Sequence, residues 1–163
     1  MSLPFALPEN VKIVDGYCAN VGAGAAVTGD YVCLKGYHKA YVVIKYRQAD
    51  ANAITWNVTR ATNVSAGSAA VMTELMRIWS NLDCATSDTL VERTAAVNYA
   101  SGAAAGLKIV VFEVDPDSLT DTFDCIAGAS TTVIAAAQYV DITYYLIPRY
   151  AGRVLTQPSA IID

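Results

Sequence analysis

The chain has 163 residues, enough for one domain that buries a core without cross-links. Hydrophobic residues make up 54% and charged residues 16%, the mean hydropathy is +0.34, and the net charge is −4 with a pI near 4.8. The eleven Lys and Arg are scattered, which argues against a basic stripe for nucleic acid, and no run reaches the ~18 apolar residues of a membrane helix.

The charged fraction lies well below the ~25% of an ordinary soluble domain, so part of the apolar surface is expected to be covered by a partner. In chain order, residues 1–10 read as an extended arm, because Pro4 and Pro8 oppose helix. The same prolines, with no basic residues before them, leave no signal-peptide pattern. The expected compartment is therefore reducing, with Cys18, Cys33, Cys84 and Cys125 as free thiols. None of these forms a C-x-x-C pair, so a zinc ribbon or redox motif is not predicted. Most are read as small buried hydrophobes.

Residues 11–14 are a first short strand, and the Gly/Ala-rich stretch 18–29 is a loop. Alternation then sets in. A strand is expected over 30–35 and a longer one over 38–47, where Ala40, Val42, Ile44 and Tyr46 share one face. Lys39, Tyr41, Val43, Lys45 and Arg47 share the other, wetter face. In 53–60, Ile54, Trp56 and Val58 point in and Thr55, Asn57 and Thr59 point out, the pattern of a half-buried antiparallel strand. Met72, Leu75, Met76 and Trp79 fall at i, i+3, i+4 and i+7, so propensity favours a helix within 66–80, with a strand over 76–80 as the alternative. Further strands are predicted over 89–99, over 107–114 (apolar on both faces), over 123–127 and over 138–147, ending at Pro148. Residues 149–163 form a tail. This spacing of short strands predicts an all-β fold: a jelly-roll-like antiparallel β-sandwich over 11–148, flanked by extended N- and C-terminal arms.

The residues offer little catalytic chemistry. His38 has no Ser, Cys or carboxylate beside it in sequence, and it is read as a surface or structural histidine. Asp115, Asp117, Asp121 and Asp124 resemble a calcium loop, but Leu119 and Thr120 occupy the positions that need a ligand and a glycine. An Asp-rich turn held by Asx hydrogen bonds is the expectation. Gly22-x-Gly24 lacks the third glycine of a dinucleotide fingerprint, since Val27 stands there. No catalytic residue, metal ligand or cofactor site is predicted. The ten tyrosines fall mostly on or beside strands, and Tyr41, Tyr139 and Tyr145, on the wetter faces, are the leading interface candidates.

Several short blocks carry a family resemblance: Glu9-Asn10-Val11-Lys12-Ile13-Val14, Thr28-Gly29-Asp30-Tyr31-Val32-Cys33-Leu34-Lys35, Ile78-Trp79-Ser80-Asn81 and Ser87-Asp88-Thr89-Leu90. Val111-Phe112-Glu113-Val114-Asp115, Phe123-Asp124-Cys125, Pro148-Arg149-Tyr150-Ala151-Gly152 and the closing Pro158-Ser159-Ala160-Ile161-Ile162-Asp163 continue it. Through them the chain resembles head decoration, or cement, proteins of tailed bacteriophages. The resemblance implies a non-enzymatic virion protein on the outer capsid surface, assembled in the bacterial cytoplasm. Its implied partners are the major capsid protein and its own copies, with a trimer favoured. It also makes the segment 72–80 more strand-like, which splits 66–80 into a short turn or helix followed by a strand. It directs attention to the two arms, adding Leu3, Pro4, Phe5, Pro8, Arg149, Tyr150, Arg153 and Pro158 as interface candidates. Another virion role (tail tube, head-completion or head-fibre protein) is the alternative. A jelly-roll carbohydrate-binding module is a third reading, and it would need an exposed row of Tyr and Trp.

Overall fold

β-Branched and aromatic residues at alternate positions give long strands whose one face is fully dry. In a computed structural model describing residues 6–120, 122–131, 138–149 and 159–161, these strands form two antiparallel sheets packed as a sandwich. The expected all-β sandwich is thus borne out. The larger sheet has the order β1-β11-β3-β9-β6-β7. Its strands are β1 (Lys12–Val21), β11 (Gln138–Pro148), β3 (Tyr37–Gln48), β9 (Gly106–Val114), β6 (Met76–Asn81) and β7 (Val91–Ala96). The second sheet runs β2 (Val32–Cys33), β10 (Cys125–Ser130), β4 (Thr55–Ala61) and β5 (Ala70–Val71), and β8 (Asn98–Ala100) also pairs with β4. The candidates Leu3, Pro4, Phe5, Tyr150, Arg153 and Pro158 lie outside the described residues.

The core fills the space between the sheets. Ala40, Val42, Ile44 and Tyr46 of β3 meet Val110, Phe112 and Val114 of β9, and Val140, Ile142, Tyr144 and Leu146 of β11. Trp56, Val58 and Ile126 come from the second sheet. The Tyr46 and Trp56 rings lie 4.9 Å apart in a tilted arrangement. The sheets approach most closely at Gly128, where an added Cβ would stand 2.9 Å from Val42 Cγ1 and 3.0 Å from Ile142 Cγ2. Beside it, the buried Tyr144 hydroxyl donates to Asp30 O at 2.8 Å and accepts from Gly128 N–H at 3.1 Å. One side chain thereby ties the larger sheet to the loop before β2 and to β10.

Several local expectations are corrected. Residues 7–10 are one helical turn, α1 (Leu7–Asn10), with Pro8 in its first positions, so this part of the arm is not extended. There the missing proline N–H has no partner to lose. The segment 66–80 is not helical: Ala66 and Ser68 have φ of 63° and 50°, and the chain continues into β5 and β6. In β6, Met76 and Ile78 point inward while Arg77 and Trp79 point outward, and Leu75 of the supposed helical stripe is 73% exposed. β1 continues through Cys18–Val21, where the Gly/Ala-rich composition predicts a loop, because Cys18 to Val21 pair with Asp141 to Gln138 of β11. The strand expected over 30–35 is ladder-paired only at Val32 and Cys33. The strand expected over 89–99 divides near Val97: β7 stays in the larger sheet and β8 crosses to the second. The tail does not stand away from the body at Ala160, which is buried and accepts the Cys33 N–H at 2.7 Å.

β9, expected to be buried on both faces, is dry on its inner face and buried on its outer face only at Val111. Leu107 is 51% exposed and Ile109 half-buried, whereas Lys108 is in the core direction and 1% exposed. Its ammonium donates to Gln48 Oε1 at 2.8 Å, Ser101 O at 2.9 Å and Gly102 O at 3.3 Å. These are neutral oxygens, and burial lowers the lysine pKa from its ordinary value. Gln48 in turn donates to Asp50 O, Asn52 O and Gly102 O, so the network fastens two loops to the end of β3. Lys108→Met is expected to lower stability by about 1–3 kcal/mol, since Ser101 O loses its buried donor. Urea unfolding of the variant measures this, and an unchanged midpoint would remove the network from the account.

Candidate interaction surface

Every second residue of the larger sheet points away from the core, and strand register orders these residues into rows. One row runs Ile13, Tyr145, Tyr41, Glu113, Arg77 across β1, β11, β3, β9 and β6. The next runs Asp15, Thr143, Val43, Val111, Trp79, Glu92 and reaches β7. Then come Cys18, Asp141, Lys45, Ile109, Asn81, and finally Asn20, Tyr139, Arg47, Leu107. Tyr145 and Tyr41 are direct cross-strand neighbours. All three tyrosines singled out from the sequence therefore lie on this one face. Arg149 does not: it stands past the end of β11, paired with Asp117 and donating to Tyr37 O at 3.0 Å.

The face is only partly sealed by its own side chains. Ile13 is 47%, Leu107 51% and Tyr139 43% exposed, and Leu90 and Val91 add apolar surface at the β7 edge. Tyr41, Arg77, Trp79, Leu90, Val111 and Glu113 line a shallow groove of about 520 Å³. Its charges are largely answered from within. Lys39 contacts Glu113 at 2.6 Å, Lys45 contacts Asp141 at 2.9 Å, and Arg77 reaches Glu92 at 3.0 Å. Arg77 also lies over the Trp79 ring, 4.7 Å from its centroid. These pairings raise the pKa of Lys39, Lys45 and Arg77, chiefly through the hydrogen bonds to their carboxylates. Lys39, Lys45, Arg47 and Arg77 balance Asp15, Glu92, Glu113 and Asp141, so the face carries no net formal charge.

The remaining candidates fall elsewhere. His38 is exposed at the start of β3. The Asp-rich turn is a short 3-10 turn (Pro116–Ser118), with Asp115 Oδ1 accepting the Asp117 N–H at 3.0 Å, the expected Asx arrangement. A pocket of about 170 Å³ beside it is lined by Leu34, Pro116, Leu119, Phe123, Asp124 and Arg149, among others, and His38 is not part of that lining.

Sequence spacing gave no hint of a second grouping. Cys33 and Cys125 are opposite each other on β2 and β10, both buried, with Asp124 alongside. Burial, and then the Asp124 carboxylate, push the Cys125 thiol well above its usual range. Only the sheet register brings together cysteines so far apart in the chain. No protein-family model, curated protein or solved structure matches the chain.

Proposed function

We propose that this is a virion structural protein that binds the outside of a phage capsid and stabilises it. The observation that carries a contact role is the outer face of the larger sheet: rich in aromatics, with exposed Ile13 and Leu107, and internally charge-compensated. Aromatic side chains and arginine, here Tyr41, Tyr145, Tyr139, Trp79 and Arg77, are residue types enriched at protein interfaces. The phage shell as partner rests on the family resemblance described above. A contact of about 800 Å² per partner, repeated by symmetry, would sum to resistance against internal pressure.

The test is addition of purified protein to expanded heads. Saturation at a fixed ratio to the major capsid protein supports the reading; absence of binding to heads, with binding to tails, would replace it with another virion role. In that assay, Trp79→Ala combined with Tyr41→Ala is expected to weaken binding by about 30-fold or more, the effect of losing about 2 kcal/mol at an aromatic anchor. Thermal unfolding of the double variant checks that the body is intact.

A carbohydrate-binding module is the second reading, favoured by the adjacent Tyr41 and Tyr145. Against it, Trp56 is fully buried and the Trp79 ring is covered by Arg77. Glycan binding to the isolated protein, abolished by Tyr41→Ala, would favour this reading over the first.

A further inference from the structure

We propose that Cys33, Cys125 and Asp124 form a binding site for one soft divalent cation of the zinc class. This is independent of the head-binding role. Cys33 and Cys125 are a directly opposed pair of the β2–β10 ladder. The Leu34 N–H bonds to Asp124 O at 2.7 Å, while the Cys33 N–H turns outward to Ala160 O at 2.7 Å. That pattern marks a non-hydrogen-bonded pair, in which facing side chains come closest. The two sulfurs and a carboxylate oxygen lie within 4.8 Å of one another.

The donor set suits the ion. Zinc takes sulfur at about 2.3 Å and carboxylate oxygen at about 2.0–2.2 Å in tetrahedral geometry, which places two bound sulfurs about 3.8 Å apart. The cluster therefore needs to contract by about 1 Å at most. Cys125 and Asp124 are held by β4, through the Cys125–Ala61 pairing and the Asp124 N–H to Ala61 O at 3.2 Å, whereas β2 is only two residues long, so the contraction falls to the Cys33 side. The carboxylate is already oriented. The Cys125 thiol donates to Asp124 Oδ1 at 3.1 Å, and Lys35 Nζ holds Asp124 Oδ2 at 2.7 Å. Such outer contacts are what hold a ligating carboxylate in place. Charge balances as well: two thiolates and one carboxylate are offset by the divalent ion and the Lys35 ammonium. Binding converts two thiols to thiolates and releases two protons to solvent, with no change of oxidation state. A water completes the fourth position. The carboxylate favours this reading over a simple cross-strand disulfide, which would have no use for it.

The full chain, reduced and freed of metal, is titrated with Cd²⁺ and followed by the sulfur-to-cadmium absorption band; zinc competition then reports the zinc affinity. One ion per chain is expected, with the band lost in Cys33→Ser and in Cys125→Ser. Asp124→Asn is expected to weaken affinity on the order of 100-fold, because even an outer-shell loss costs about 10–100-fold. Thermal unfolding confirms that each variant is folded, and Asp124→Asn leaves the buried sulfurs in place should either serine variant fail. The proposal is overturned if the reduced wild-type chain takes no cadmium. It is also overturned if the band survives in both serine variants, or if Asp124→Asn binds as tightly as the wild type.

Discussion

Trp56→Ala is expected to cost about 3–5 kcal/mol, close to the whole stability of many domains this size. The ring is fully buried near the start of β4, against Tyr46 of the opposite sheet. Its removal opens a void where the two sheets meet, and the surrounding strands are held by their ladders to β10, β5 and β8 and cannot close over it. Trp56→Phe keeps a ring in place and should lose much less. Urea unfolding gives both values. A loss under about 1 kcal/mol for the alanine variant would mean that the sheets are not joined through this residue.

The second large effect is with pH. Tyr37 and Tyr46 are pushed up to about 12 by burial, and burial raises Tyr144 further. An unfolded tyrosine ionises near pH 10. Between these values the folded state holds protons that the unfolded state has released, so folding is progressively disfavoured as pH rises. The contribution is fully present below about pH 10 and is lost as pH climbs through about 12. Two units per group correspond to on the order of 3 kcal/mol each. Lys108 acts in the opposite sense: its lowered folded pKa means that it becomes less costly as pH rises toward 10.5. Lys12, also lowered by burial, acts with it, and the two lysines do not offset three tyrosines. The urea midpoint should therefore fall steeply above about pH 10, and Tyr46→Phe should flatten the slope. A flat profile would mean that these hydroxyls are solvated.

The sandwich was legible because alternation is a local signal. Trp56 and Val58 against Thr55 and Thr59, and Val140 through Leu146 against Tyr139 through Tyr145, each show their inner face within a few residues. The failures arose where local pattern met longer-range constraint. Met72, Leu75, Met76 and Trp79 match a helix by spacing, yet the left-handed backbone at Ala66 and Ser68 and the pairing of β6 with β9 override it. Lys108 interrupts an apolar run, and nothing local reveals that its ammonium meets Gln48 and the 101–102 carbonyls. The Cys33–Cys125 pair was invisible for the same reason: its proximity exists only once β2 and β10 are in register. The aromatic face was partly legible, since Tyr41, Tyr139 and Tyr145 were marked by their strand phase. Trp79 escapes that signal because the spacing of its segment fits a helix as well as a strand.

Lys39, Lys45 and Arg77 already hold carboxylates of their own chain, so the outer face projects little field into solution. A partner meeting it would not be drawn in from a distance, and association should proceed at an unsteered rate, on the order of 10⁵–10⁶ M⁻¹s⁻¹. Added salt would have little to screen. Persistence of such a complex would depend on slow departure, making residence time the property on which selection could act.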